Sequence, residues 1–282
     1  MSKRHHSDYD EFTTARCERA LVTLLGDIGP WSERVYLAGG LAPRYIVGSL
    51  PEGARPHIGT TDVDLVIGLA VEGESSEAYR TLENNLKKAG FKAESSFRWT
   101  KNVEGVTVIV EFLCETDQVD PGKIFKPKAG TGSGLGAFNV RGAQLVTRDY
   151  VEREIEADRL DEGGRSKVAV RVANILSYTV LKILAFQDRH ENKDSYDLIY
   201  CLLNFGDGPE DAGRAAAQSA IRDAVQVRDA LQLLAARFES ADHDGPRAYG
   251  TFLADDGDEE QAARFRQEAV AVVRAFLAAM VP

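Results

Sequence analysis

Two acids on alternate residues of an apolar run constrain this chain more than any other feature. The run Thr60-Thr61-Asp62-Val63-Asp64-Leu65-Val66 follows a glycine pair, Gly39-Gly40, and precedes Glu111, which stands inside Val106-Thr107-Val108-Ile109-Val110-Glu111-Phe112-Leu113. Alternate residues of a strand point to one face, so Asp62 and Asp64 are expected side by side while Val63 and Leu65 turn into a core. Neighbouring carboxylates repel unless a cation lies between them. An acid within Val-Ile-Val-Glu-Phe-Leu is either shielded or bound to a cation, because burial of its charge alone is costly. Read alone, Asp-x-Asp is also compatible with a solvated surface pair. Together with Glu111, the acids predict a metal site spread over two strands.

Magnesium takes a few carboxylate oxygens together with substrate phosphates rather than an all-protein cage. Two such ions, about 3.5–4 Å apart, activate an attacking oxygen and neutralise a leaving phosphate. Gly39 and Gly40 suit the same chemistry, since residues without side chains at a strand end let backbone N–H groups approach a triphosphate. Thr60 and Thr61 add hydroxyl donors. Nucleotide chemistry is the expected use.

The hydrophobic pattern predicts a helix over Tyr9–Ile28, a short strand Val35–Ala38 entering Gly39-Gly40, and a helix from Ala42 to about Val47. The segment Gly48–Gly59, with Pro51, Gly53 and Pro56, reads as a loop carrying His57. A strand Asp62–Leu69, a helix Ser76–Ala89 and the strand around Glu111 follow. A loop is expected over Asp117–Gly136. Its Gly130-Thr-Gly-Ser-Gly-Leu-Gly136 stretch lacks the preceding strand and following helix of a phosphate cradle. Ala143–Asp158 and Lys167–Val172 suggest a strand pair across Asp161–Gly164, and the chain then turns helical over Ile175–Gln187, Asp194–Asn204, Glu210–Glu239 and Glu259–Met280. The expected class is α/β in the α+β sense: a mixed-sheet core over residues 1–172 with an N-terminal helix, then a helical domain over 173–282.

Composition narrows the partners. A net charge of -10 opposes broad attachment to nucleic acid, although basic residues outnumber acids between Lys123 and Arg171, leaving a polyanion path or a plain solvated surface there. No apolar run approaches the roughly 20 residues of a membrane span, and Met1–Asp10 lacks a signal-peptide core, so a cytoplasmic protein without membrane attachment is expected. Cys17, Cys114 and Cys201 lack metal or disulfide spacing and read as buried thiols. Trp31 and Trp99 read as packing aromatics, with base stacking the alternative for Trp99.

Gly39-Gly40, Thr60-Thr61-Asp62-Val63-Asp64-Leu65 and Glu111 resemble the polymerase-β-type nucleotidyltransferase superfamily. Further on, Leu181-Lys182-Ile183-Leu184-Ala185-Phe186-Gln187-Asp188-Arg189 with Lys193-Asp194-Ser195-Tyr196-Asp197-Leu198 is similar to the helical signature of AbiEii/AbiGii-type toxin nucleotidyltransferases. The matching stretches run from Val35 to Asn204. The resemblance implies a mixed sheet carrying the glycine pair and the acids. It implies that Asp62 and Asp64 bind both magnesium ions, that Glu111 completes the metal site, and that Gly39, Gly40 and Thr61 contact the NTP triphosphate. Lys182 is implied to reach the same phosphates, with Asp194 and Asp197 orienting Lys182, Arg189 or the nucleotide.

The resemblance also implies NMP transfer to a hydroxyl acceptor with release of pyrophosphate, RNA such as tRNA as that acceptor, and an antitoxin protein as partner. Two departures stand out: the insertion Gly48–Gly59 and Glu111 in place of the commoner Asp. Transfer to a small molecule of the antibiotic type is the enzymatic alternative. A non-catalytic NTP-binding or interaction module of the same fold is the other.

Overall fold

The computed structural model describes residues 5–50, 53–54, 56–57, 60–68, 76–127, 133–160 and 162–281. Chain contacts divide it into two compact units, one formed by Glu11–Ala42 and Thr60–Ala173, the other by Met1–Asp10, Pro43–Gly59 and Asn174–Pro282. The first carries a mixed sheet and the second is helical, an α+β arrangement.

In chain order the strands are β1 (Val35–Ala38), β2 (Asp62–Ile67), β3 (Lys92–Ala93), β4 (Arg98–Val103), β5 (Val106–Cys114), β6 (Ile124–Phe125), β7 (Ala137–Asn139), β8 (Tyr150–Asp158) and β9 (Arg165–Ala173). The helices are α1 (Glu11–Gly26), α2 (Pro43–Ile46), α3 (Ser76–Lys88), α4 (Ile175–Arg189), α5 (Asn192–Asn204), α6 (Pro209–Ala217), α7 (Val225–Arg237), α8 (Asp244–Leu253) and α9 (Glu259–Met280).

Within the sheet unit the order is β3-β4-β5-β2-β1-β9-β8, with β7 paired to β5 and β6 to β7. β2 runs antiparallel to β1 and parallel to β5, and β4 runs antiparallel to β5. Val63, Leu65, Val108, Val110 and Phe112 are fully buried, so the odd-even alternation read from sequence sends the apolar residues inward and the acids to the opposite face. α1 contributes Cys17, Ala20, Leu21 and Leu24 to this core, and it starts at Glu11 rather than Tyr9.

Several elements differ from the sequence expectation. β3 and β4 occupy a stretch with no expected strand; β4 joins β5 through Glu104-Gly105, whose φ angles of 52° and 85° form the left-handed pair that suits the twist of a two-residue hairpin. Ala143–Thr147 is a 3-10 turn, and the strand begins only at Tyr150. The cause is a distant cap: the Glu115 carboxylate accepts hydrogen bonds from Gly142 N and Gln144 N, each at 3.0 Å. Short strands β6 and β7 lie within and just after the expected loop. Leu69, the expected end of the second strand, lies outside the described residues.

The β8–β9 hairpin carries an ion-pair ladder. Glu152 meets Arg171 at 3.2 Å, Glu154 meets Lys167 at 2.7 Å and Glu156 meets Arg165 at 2.6 Å. Charges along an edge strand oppose pairing with another chain. Arg159 is matched by Asp27 at 2.8 Å. Four cations of the Lys123–Arg171 stretch therefore have acidic partners, which weakens the polyanion-path reading of that surface.

In the helical unit, the Asn174 side chain caps α4 by accepting from Ile175 N at 2.8 Å. His190 closes that helix in a left-handed conformation. The pattern expected over Glu210–Glu239 splits into α6 and α7, and α8 occupies a stretch with no expected helix. All three cysteines are buried and free. No described helix is long and apolar enough to cross a membrane.

Candidate active site

Register places the sheet acids together. Asp64 is the strand partner of Glu111 across the parallel pair, and Asp62 precedes Asp64 on the same face. On β4 the partner of Glu111 is Arg98. On β1 the partner of Asp64 is Ala38, and the chain then enters the 3-10 turn Gly39–Leu41. One row thus crosses four strands as Arg98, Glu111, Asp64 and the glycine turn. Adjacent members of such a row are about 5 Å apart at the backbone.

The glycine turn is built against the acid. Gly39 has φ +63°, and a Cβ added there would lie 1.6 Å from Asp64 Oδ2. Both the left-handed backbone and the missing side chain are therefore required. Gly40 is buried in the same turn. Thr60, also buried, donates its hydroxyl to Asp62 O at 2.7 Å and to Asp62 Oδ1 at 3.0 Å, which fixes the first acid of the pair. Thr61 is half-buried beside it. The side chains of Asp62, Asp64 and Glu111 are half-buried.

Glu111 Oε1 lies 3.2 Å from Arg98 Nε. Among the described residues, no group of three or more His, Cys, Asp or Glu converges into a ready metal cage. Asp62, Asp64 and Glu111 nonetheless share one sheet face on adjoining strands, with the Asp64 carboxylate lying against Gly39.

The residues expected from the helical signature form a second group, inside the helical unit. Lys182 in α4 donates to Asp194 Oδ1 at 3.1 Å and to Asp197 Oδ2 at 2.6 Å, and its side chain is only 6% exposed. Asp194 and Asp197 stand one turn apart on α5 and share a face. Arg189 grips Asp194 with two hydrogen bonds of 2.6 Å, and Lys193 reaches Asp197 at 2.8 Å. Burial opposes the charge on Lys182, but Asp197 and Asp194 outweigh it and hold the ammonium protonated above its usual range. Burial likewise works against ionised Asp197, while Lys182, Lys193 and His57 draw its pKa well below the usual carboxylate range. Asp194 is shifted downward against burial by Lys182 and Arg189. Lys182 is thus committed to carboxylates within its own unit.

His57 was unreadable as part of this group. It comes from the Gly48–Gly59 insertion, is fully buried, and its Nε2 lies 2.8 Å from Asp197 Oδ1. Its ring stacks on Tyr196 at 5.2 Å and meets Tyr200 edge-on. Burial, partly offset by Asp197, lowers its pKa to about 4. The neutral ring therefore carries its proton on Nε2, facing the carboxylate, and Nδ1 has no hydrogen-bond partner among the described residues. The only sequence signal was a histidine in a proline- and glycine-rich insertion.

Arg98 was also missed, because β4 was. Its signal was the Glu104-Gly105 turn between two β-prone runs. Trp99, next to it, is buried as a packing residue. Of the Gly130–Gly136 stretch, Gly130, Thr131 and Gly132 lie outside the described residues. Ser133 Oγ and Gly134 N donate to Glu83 at 2.5 and 2.7 Å, and Lys87 Nζ reaches the same carboxylate at 2.6 Å. Comparison of the chain with protein-family models, curated proteins and solved structures returned no match.

Proposed function

We propose that the chain is a magnesium-dependent nucleotidyltransferase of the polymerase-β type. The observation that carries this reading is the row itself: Asp64 in register with Glu111, and Gly39 pressed against the Asp64 carboxylate. Asp62 and Asp64 would hold the metal with Glu111, where it supplies positive charge to the phosphates and lowers the pKa of the attacking hydroxyl. The sheet contributes preorganisation, since carboxylates on adjoining strands need not be gathered as the reaction proceeds. The resemblance supports Gly39 and Gly40 as the contacts of the triphosphate. In the reaction an acceptor oxygen attacks the α-phosphorus, the bond from that phosphorus to the bridging oxygen of the β-phosphate breaks, pyrophosphate departs, and the hydroxyl proton passes to water. The resemblance supports RNA such as tRNA as acceptor, with an antitoxin protein as partner.

Incubation with each α-labelled NTP, magnesium and total RNA tests this reading. The parent protein is expected to label RNA, and Asp64→Asn to do so at least roughly 100-fold more slowly, the scale of losing one preorganised electrostatic group. Label appearing on aminoglycosides in place of RNA would redirect the assignment to a small-molecule transferase. NTP binding without any transfer would mark a binding module. Growth arrest on induced expression, absent in Asp64→Asn, tests the toxin role.

A further inference from the structure

Beyond Glu111, on the same sheet face, stands a stacked aromatic pair. Leu113 follows Glu111 by two residues of β5 and so points the same way. Its register partner on β7 is Phe138, which shares that face: Phe138 is half-buried while its neighbours Ala137 and Asn139 are buried. The Phe97 ring, from the bend just before β4, stacks on Phe138 with centroids 5.3 Å apart and planes 29° apart. Phe97 and Leu113 are half-buried, and Ile124, the β6 partner of Phe138, is 38% exposed. Trp99, the stacking candidate of the sequence, is buried instead. Two residues along β5 and one strand across, Phe138 lies about 8 Å from Glu111 at the backbone. Lys123 and Lys126 flank β6, both exposed and without an ion-pair partner among the described residues.

On the nucleotidyltransferase reading, on which this inference rests, the triphosphate lies at the glycine turn after β1, and the attacking and leaving oxygens lie roughly in line across the α-phosphorus. The acceptor hydroxyl then approaches from the other end of the row, at Glu111, the side on which Phe97 and Phe138 stand. We propose that these two rings form the platform on which the terminal base of a single-stranded RNA acceptor stacks, so that its ribose hydroxyl faces Glu111. Every base has a π-face, so such a platform takes any of them, while Lys123 and Lys126 meet the phosphates of the acceptor strand. Acceptor choice rests on an unpaired end of the chain and not on the identity of its last base.

The test measures binding of the full-length protein to a short single-stranded RNA, to the same RNA lacking its 3′-terminal base, and to NTP with magnesium. The parent is expected to prefer the RNA that keeps its base by roughly 5–100-fold, the scale of one stacked base. Phe138→Leu, which keeps apolar bulk, and Phe97→Leu are expected to remove most of that preference with NTP affinity unchanged, and Phe138→Tyr to retain it. A preference kept in Phe138→Leu overturns the platform and leaves the transfer reaction intact. Loss of NTP affinity in place of RNA preference also overturns it, and gives the rings to the base of the nucleotide. A parent that binds both RNAs equally, or neither, overturns the platform as well, whereas a parent that transfers NMP to no acceptor overturns the reading beneath it. A second measurement needs no variant: an RNA ending in a photoactivatable thiouridine, irradiated on the parent, is expected to crosslink to the peptides holding Phe97 or Phe138, read by mass spectrometry. Crosslinks confined to other peptides overturn the proposal even where Phe138→Leu fails to fold.

Discussion

The sheet row and the buried network of the helical unit both gather acids and bases, and they balance charge in opposite ways. In the helical unit, Asp194 and Asp197 meet three cations, Lys182, Arg189 and Lys193, and both acids and Lys182 are buried. On the sheet, Asp62, Asp64 and Glu111 have one guanidinium, Arg98, in their row. The first group is electrostatically complete without any ligand. The second stands on a half-open face, with its three acids half-buried. Lys182 is held in a buried network in which each acid has more than one cation partner.

The comparison breaks most visibly at Lys182. Lys182→Met removes the cation shared by two buried carboxylates, leaving Arg189 on Asp194 and Lys193 on Asp197, and is expected to cost about 3 kcal/mol, measured as a lowered urea midpoint at unchanged slope. A stable Lys182→Met that has lost only NTP affinity would return this lysine to the substrate.

A smaller effect follows from His57, whose ring faces Asp197 and lies in the field of Lys182 and Lys193. Its folded-state pKa is about 4 against an ordinary 6.5, so between these values the unfolded chain holds the proton more often. Stability therefore rises with pH through that window, and its contribution is lost as pH falls from about 6.5 to about 4, by on the order of 1–3 kcal/mol. Asp194 and Asp197, shifted downward, act in a lower window, below their ordinary carboxylate range. Urea titrations at pH 7 and pH 4.5 are expected to lose this slope in His57→Phe, and a slope equal to the parent's would show that another group carries it.

Asp64→Asn sharpens the contrast from the other side. Relief of repulsion with Glu111 is expected to leave stability within about 1 kcal/mol of the parent while transfer collapses. A loss as large as that of Lys182→Met would make the row structural too. Smallest is Lys167→Gln on the β8–β9 ladder, within about 0.5 kcal/mol by the same titration, because exposed ion pairs are screened. Its side chain is 53% exposed and its partner Glu154 is 68% exposed.

The sheet face was legible because strand alternation is a local signal: Val63 and Leu65 inward place Asp62 and Asp64 outward without knowledge of any partner. That Asp64 pairs with Glu111 was legible only as an expectation, since register depends on contacts between segments. The β4 strand escaped because Lys92–Val103 mixes charged, polar and aromatic residues with no clean period. α8 escaped because Gly245, Pro246 and Gly250 interrupt a helical pattern that burial of Tyr249 and Phe252 sustains. The 3-10 turn at Ala143 depends on Glu115, and His57 on Asp197; both are long-range, and no window of sequence contains them.

The same His57–Asp197 contact bears on how the chain can fold and be divided. Its two ends are 140 residues apart, and residues 43–59 leave the sheet unit between β1 and β2 only to join helices made much later. During synthesis, the segment that interrupts the first unit has to wait for α5 before its histidine is covered. A cut at Ala173 would leave that segment without its partners and Asp197 without its imidazole. The two units are therefore not separable fragments, and either half expressed alone is expected to be prone to aggregation.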